Sequence, residues 1–323
     1  MIRSRVACRL GLIVVVCGMY SCAPVVQRTR VANAGAPTAP MLELWKNPTD
    51  LEQRNLQWGP GRPANAPPTN VEYTVLKRDD TGYSRGYDVA GPDGRKWSIK
   101  VGKEAQTEVV LSHILWALGY YQPETYYIKG WKLAGDWKFE GEPARFRLQS
   151  DHESMGEWKW VDNPFAGSAQ MHGLIAINLL FSNWDFKTSN NRIYRLKDAR
   201  DEPVVRYVVQ DLGASLGKPR VVLIGTRNDI EDFEATTLIK DVRRSDVVLN
   251  YRGRHGEILK RISVPDLVWA CELLNRLRDA QLDDAFKAAD YPPDIRRRYI
   301  TKIRAKIQEG LALRTTLARA EGD

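Results

Sequence analysis

Apolar and polar residues alternate from residue 71. Val71, Tyr73 and Val75 interleave with Glu72 and Thr74, a period of two that predicts a strand. Tyr87-Asp88-Val89 and Lys96 to Val101 continue the pattern on either side of Gly91-Pro92-Asp93-Gly94, which predicts a hairpin. The period then lengthens. From Ala105, the residues Val109, Leu111, Ile114, Leu115 and Leu118 keep helical spacing, and Gly119 closes the helix. Strand-like material returns at Thr125 to Lys129 and Ala144 to Gln149, and Gln149 to Ser154 reads as a hinge. Leu174 to Phe181 reads as the end of a buried helix, followed by strands at Arg192 to Leu196 and Val204 to Gln210 around the charged turn Lys197 to Glu202. Beyond Ser263 three apolar stripes predict helices: Leu267, Ala270, Cys271, Leu274 and Leu277; Leu282, Ala285, Phe286 and Ala289; and Ile295, Tyr299, Ile303 and Ile307, closed by Gly310. The pattern therefore predicts an α+β chain, strand-rich with one helix over 71–150 and mainly helical over 151–323.

The first 70 residues read differently. Met1 to Arg9 is basic, Leu10 to Tyr20 is uncharged and largely apolar, and a secretory signal over 1–21 is expected. Residues 23–70 hold eight of the 17 prolines, which suits an extended tether over 22–70. Within it, Leu42 to Trp58 carries apolar residues able to dock on the body, with a short helix expected over Asp50 to Leu56.

Composition narrows the chemistry. The formal charge is +8, and removing Arg3, Arg5 and Arg9 with the leader leaves +5, a mild excess. Three of the four cysteines lie in the first 22 residues, leaving Cys271 alone in the body. An internal disulfide framework and a cysteine-rich zinc site are thereby excluded from the body. Trp131, Trp137, Trp158 and Trp160 lack regular basic interleaving and read as packing, so no nucleic-acid partner is expected. His152 and His172 have no neighbours at metal-ligand spacing. Arg296, Arg297, Arg298, Lys302, Arg304 and Lys306 read as a solvated basic helix face.

The candidate chemistry centres on Asn183-Trp184-Asp185-Phe186-Lys187-Thr188-Ser189-Asn190, after the apolar stretch. A carboxylate at Asp185 can orient and deprotonate a hydroxyl, Lys187 can neutralise a phosphate oxygen, and Asn190 can ligate magnesium. Asp211 leaves a strand two positions before Gly213, where a carboxylate can hold magnesium against phosphates. Lys100 near the end of one strand and Glu108 early in the next helix can pair, with Glu104 as the alternative partner. The loop from Gly82 to Gly86 is not a full G-x-G-x-x-G, but its backbone amides can approach phosphates.

These stretches resemble known families. Glu108 to Tyr120, ending Leu118-Gly119-Tyr120, resembles a helix of secretory-pathway and HipA-type kinases. Asp211-Leu212-Gly213-Ala214-Ser215-Leu216-Gly217 resembles the D-x-G-x-x-[FL]-G of phosphatidylinositol and secretory kinases. The Asn183-x-Asp185 start is similar to secretory and HipA-type kinases, whereas Lys187 is the choice of ordinary protein kinases. The resemblance covers about residues 71–217 and implies a two-lobed protein-kinase-like fold, with an N-lobe over 71–150 and a C-lobe over 151–323. It implies ATP with Mg2+ (or Mn2+), Lys100 on the phosphates, Glu108 orienting Lys100, Asp185 as base, Lys187 stabilising charge, and Asn190 with Asp211 on the metal. The acceptor, a protein or a small molecule, is unspecified. The 26 positions from Asp185 to Asp211 exceed the usual interval, and the turn at 197–202 absorbs the excess. Thr226 to Gly256 falls where an activation or substrate segment would lie.

Met19-Tyr20-Ser21-Cys22 resembles a bacterial lipoprotein cleavage box, implying an envelope protein anchored through an acylated Cys22. Three rival readings stay open. One is a kinase-like binding module without turnover. Another is a structural envelope lipoprotein that uses its Trp-rich and basic surfaces. The third is a serine hydrolase, because Gly213-Ala214-Ser215-Leu216-Gly217 is formally G-x-S-x-G with His255 downstream.

Overall fold

The alternation over 72–101 becomes three antiparallel strands, β2, β3 and β4, whose inward residues Tyr73, Tyr87, Val89, Trp97 and Ile99 make one apolar core. The computed structural model describes residues 41–79, 82–135, 142–149, 152–197, 200, 202–221, 224–243, 246–253 and 255–315. In chain order the strands begin with β1 (Met41–Glu43), β2 (Glu72–Asp79), β3 (Arg85–Ala90) and β4 (Lys96–Val101). Helix α1 (Glu104–Ala117) leads to β5 (Thr125–Ile128), β6 (Lys132–Leu133), β7 (Ala144–Leu148) and β8 (Glu153–Gly156). Then come α2 (Ala169–Leu180), β9 (Asn191–Lys197), β10 (Pro203–Val209), β11 (Pro219–Val221) and β12 (Ile224–Gly225). Helix α3 (Ile230–Glu234), the hairpin β13 (Ile239–Arg243) and β14 (Asp246–Leu249), and helices α4 (Val264–Asn275), α5 (Asp279–Ala288) and α6 (Pro293–Leu311) complete the chain.

Two sheets frame the site. The larger has six strands in the order β5-β7-β4-β3-β2-β6, antiparallel throughout except for the β2–β6 pair. The smaller runs β1-β10-β9-β8. The helices share a second apolar core in which α2 and α4 supply Leu174, Ile177, Leu267 and Leu274, joined by the apolar side of α1. Cys271 is a core thiol there, and burial pushes its pKa up to about 12. The tryptophans Trp131, Trp158 and Trp160 are buried packing residues, whereas Trp137 lies outside the described residues. No helix among the described residues is long and apolar enough to cross a membrane. The expected signal, Cys22 and the first part of the tether lie outside the described residues.

Four expectations change. Residues 41–70 are not an extended tether, because their apolar side chains find burial on the body. Leu44, Leu51 and Leu56 are buried, β1 adds to β10 in parallel, and the short helix expected over 50–56 is a single 3-10 turn at Leu51–Gln53. The hinge at 149–154 is in part strand, since β8 pairs with β9. Helix α6 runs through Gly310 because the Cys271 Sγ fills the space a side chain would take, 2.3 Å from a Cβ built there. Lys306 is not on a solvated face but 1 % exposed. Arg296, Arg298 and Arg304 on the same helix bind carboxylates of Asp283, Glu231, Glu234 and Asp279.

Candidate functional site

The strand period decides what the large sheet presents to the cleft beside it. Antiparallel register places Lys100 opposite Gly86 on β3 and opposite Arg145 on β7, so all three share one face. Helix α1 packs across that face. Its first turns bring Glu104 and Glu108 to the lysine, at 3.5 Å and 3.2 Å from Lys100 Nζ. Glu108 uses its second oxygen to accept from Arg145 Nε at 2.6 Å, and Arg145 Nη1 donates to the Ser98 carbonyl at 2.7 Å. The helix glutamate therefore fixes two cations instead of one.

The opposite side comes from two loops laced together. Ser182, after α2, takes a left-handed backbone with φ of 58° and turns the chain towards Asp185. Buried Asn183 donates to Asn178 Oδ1 and accepts from the Asp185 backbone N–H at 3.1 Å, which holds the turn. Asn190 Nδ2 donates to the Asp185 carbonyl at 2.8 Å, and the Asn190 carbonyl accepts from Gln210 and Asp211 backbone N–H groups at 2.9 and 3.4 Å. Trp184 N–H donates to the Ala214 carbonyl, and Leu216 N–H to Phe181. Gly213 lies hard against α1, where a Cβ would sit 2.5 Å from the Glu104 Cβ, so glycine permits this approach.

Lys100, Glu108, Asp185, Lys187, Asn190 and Asp211 all line one cleft of about 690 Å3, together with Gly82 and Gly86. Neither glycine has a positive φ, and a Cβ at Gly82 would make only ordinary contact. A smaller cavity of 460 Å3 lies behind the Asp185 loop, among Ser182, Asn183, Thr236 and Tyr251, and none of the six charged or amide residues above lines it.

Lys100 Nζ donates to Asp211 Oδ1 at 2.8 Å. Burial works to raise the Asp211 pKa, but Lys100, Arg147 and Arg145 outweigh it and hold the carboxyl well below the usual range. Burial likewise works to lower the Lys100 pKa, and Glu108, Asp211 and Glu104 overcome it, raising it above the ordinary lysine value. Both groups are charged at neutral pH. Asp185 Oδ2 accepts from Lys187 Nζ at 2.6 Å, while its Oδ1 is buried with no hydrogen-bond partner. Asp185 thus lines the cleft and keeps one buried carboxylate oxygen without a hydrogen-bond partner.

The residues also suit a magnesium–phosphate ligand. No group of three acidic, histidine or cysteine side chains clusters as a metal site among the described residues. Asp211, with a side chain 41 % exposed to the cleft, and the adjacent Asn190 amide offer hard oxygens. A magnesium ion held by them would take its remaining oxygens from phosphate and water.

Sequence reasoning missed three arginines. Arg145 and Arg147 lie two apart on β7, and that spacing is the signal that put both on the cleft face. Arg227 comes from the stretch 226–256, expected as an activation or substrate segment, and its guanidinium lies 3.6 Å from the Tyr83 ring centroid and 4.9 Å from that of Trp184. The hydrolase reading fails on geometry. Ser215 is 0 % exposed and its Oγ has no partner, a strand and not a helix follows Gly217, and exposed His255 pairs with Glu257. His172 holds Asp266 at 2.8 Å, a structural contact between α2 and α4. His152 lies in the bend before β8 and has an interaction partner.

No protein-family model matches this chain, and no curated protein matches it. A similar solved structure is the "Rio2 kinase-ADP/Mg2+-phosphoaspartate complex from Chaetomium thermophilum", at 14 % identity and a TM-score of 0.35, covering 74 % of this chain and 72 % of that one. So loose a likeness leaves function to be argued from the chain's own residues.

Proposed function

We propose that the cleft is a protein-kinase-like phosphotransferase site, with the larger sheet and α1 as its first lobe and the helical part as its second. The observation that carries this reading is the convergence of Lys100–Glu108, Asp211 and Asp185, whose Oδ1 has no hydrogen-bond partner, on one cleft. In the proposed reaction an acceptor hydroxyl oxygen bonds to the γ-phosphorus of ATP, and the bond from that phosphorus to the bridging oxygen of ADP breaks. The hydroxyl proton passes to Asp185, and Lys187 offsets charge on the transferred group. Lys100 holds the phosphates in the rotamer that Glu108 sets. Asp211 and Asn190 would hold magnesium, or manganese, which would supply charge neutralisation to the phosphates.

The acceptor is a hydroxyl on a protein or small molecule. Export and anchoring through acylated Cys22 belong to the same proposal and rest on the leader sequence alone. The 2.8 Å Lys100–Asp211 pair favours a second reading, a nucleotide-binding module without turnover, because the carboxylate that would take the metal already has a cation.

Mg-ATP is expected to raise the melting temperature of the chain lacking residues 1–40, since a native-state ligand at 100 times its Kd adds about 2.7 kcal/mol. Asp211→Ala is expected to abolish the shift. Asp185→Ala is expected to keep the shift and lower phosphate transfer by about 10²–10⁴-fold. No shift at millimolar Mg-ATP would overturn the phosphotransferase reading, and a shift with no transfer in the wild type would select the module.

A further inference from the structure

Among the described residues, the strands of the cleft wall turn polar and charged side chains towards the ligand. On β4 and β7 the register pairs Lys100 with Arg145 and Ser98 with Arg147, and on β3 it pairs Ser98 with Asp88. These are the cleft-facing positions. The apolar residues between them, Tyr87, Trp97, Ile99 and Phe146, turn to the other face and are buried in the sheet core. So the strip beside Lys100, where a group attached to the phosphates would extend, is hydroxyl, carboxylate and guanidinium. Binding a planar base requires an apolar or aromatic face, worth about 1–3 kcal/mol per stacked base.

Three aromatic residues line the cleft, Tyr83, Tyr87 and Trp184. The Tyr87 side chain is buried in the sheet core, and Tyr83 and Trp184 both stack on the Arg227 guanidinium. That side chain is 10 % exposed, and its Nε and Nη1 donate no hydrogen bond, although Glu104 Oε1 lies 3.3 Å from Nε. A guanidinium buried this far, with Glu104 at salt-bridge distance but N–H groups that make no hydrogen bond, can take a further oxygen partner. Its planar fork matches phosphate oxygens. Arg147 also borders the cleft, and a single contact, Nη1 to the Gln210 carbonyl at 3.3 Å, engages it.

We infer that this cleft recognises its ligand through a polyphosphate chain, gripped by Lys100, Arg147 and Arg227, and does not read a base. The inference rests on the phosphotransferase reading and narrows its donor to the class of magnesium polyphosphates. A nucleoside triphosphate and an inorganic polyphosphate share that chemistry.

Calorimetry on the chain lacking residues 1–40, in excess magnesium, separates the cases. ATP, GTP, CTP and inorganic tripolyphosphate are each titrated. The expected Kd values agree within about threefold, because the phosphates supply the affinity. Arg147→Ala and Arg227→Lys are expected to weaken all four ligands by the same factor, about tenfold each. Inorganic tripolyphosphate binding as tightly as ATP assigns the grip to the chain of phosphates alone. The three nucleotides binding alike and tripolyphosphate more than about tenfold weaker would place the grip on the ribose, and would overturn the inference. ATP binding at least about tenfold more tightly than the other three would show a base-reading pocket; it too would overturn the inference while leaving the phosphotransferase reading intact. No binding by any of the four would remove both. The wild-type series needs no variant to fold.

Discussion

Lys100 and Lys306 both carry their ammonium groups out of bulk water, in opposite company. Lys100 sits among three carboxylates, with Glu108, Glu104 and Asp211 all within 3.5 Å. Lys306 has none in contact. Its Nζ donates to the Leu180 carbonyl at 2.8 Å and to Ser182 Oγ at 3.0 Å, and lies 4.1 Å from the centroid of the Phe233 ring. The first arrangement is part of a wider charge network beside a cleft, in which Glu108 also accepts from Arg145 and Glu104 lies 3.3 Å from Arg227. The second satisfies donors and stops. It closes the C-terminal end of α2 and fixes Ser182, from which the Asp185 loop departs. One buried lysine belongs to a site and the other to its scaffold.

Removing a partner from each lysine should break the comparison most visibly. Glu108→Ala strips a carboxylate from Lys100 and from the fully enclosed Arg145 together. Loss of one member of a buried pair typically costs about 3–5 kcal/mol, and unfolding in urea should show a fall of that order. Lys306→Met keeps the apolar stem and removes an ammonium that has no carboxylate in contact. It forfeits two hydrogen bonds and a desolvation cost together, so a loss of only about 1–2 kcal/mol is expected. Equal losses would mean that the two lysines do the same work.

A smaller effect should reach Lys100 from a distance. The arm at 41–58 closes the C-terminal end of α1: Trp45 Nε1 donates to the Leu118 carbonyl at 2.7 Å, Lys46 N–H to Gly119 at 2.9 Å, and Arg54 to Trp116. Gly119 has φ of 97°, and a Cβ there would lie 2.1 Å from the Lys46 carbonyl oxygen. Gly119→Ala should therefore dislodge the arm and cost about 2–3 kcal/mol. Hydrogen exchange should quicken in the last turn of α1 and stay unchanged in α6, where Lys306 sits. Acceleration in both helices would show that the two regions share one cooperative unit.

Much of this was legible in the chain and the exceptions have physical causes. Period-two spacing located β2–β4, whose inward residues enter one apolar core, and helical spacing located α1, although that helix is buried almost all round. Lys100, Glu108, Asp185, Asn190 and Asp211 were legible as candidates for one site, and the fold brings them to one cleft. Lys306 was misread because sequence spacing reports charge and not the carbonyl at Leu180 that receives it. Arg227 was illegible for a similar reason, as its partners Tyr83 and Trp184 lie far away in sequence. The docking of 41–70 shows proline density yielding to a handful of buried leucines.

The smallest effect is a slope, and it sharpens the comparison by sign. Burial holds the Lys306 pKa well below the ordinary lysine value, with Lys302 adding to the depression and Glu309 opposing it. Between that folded value and the unfolded one near 10.4, the unfolded chain binds the extra proton, so this lysine makes stability rise with pH by at most about 1.4 kcal/mol per unit. The folded Lys100 pKa lies above the unfolded value despite burial. Its contribution is fully present below about pH 10.4 and is lost as pH rises beyond it. Buried tyrosines such as Tyr120 and Tyr291, whose pKa values burial raises, add to that alkaline loss in every variant. Difference curves against the wild type are therefore the readout. Lys306→Met should remove part of the rise below about pH 10.4, and Lys100→Met part of the fall above it. Should both variants change the same limb, the division between a lysine of the site and a lysine of the scaffold would be wrong.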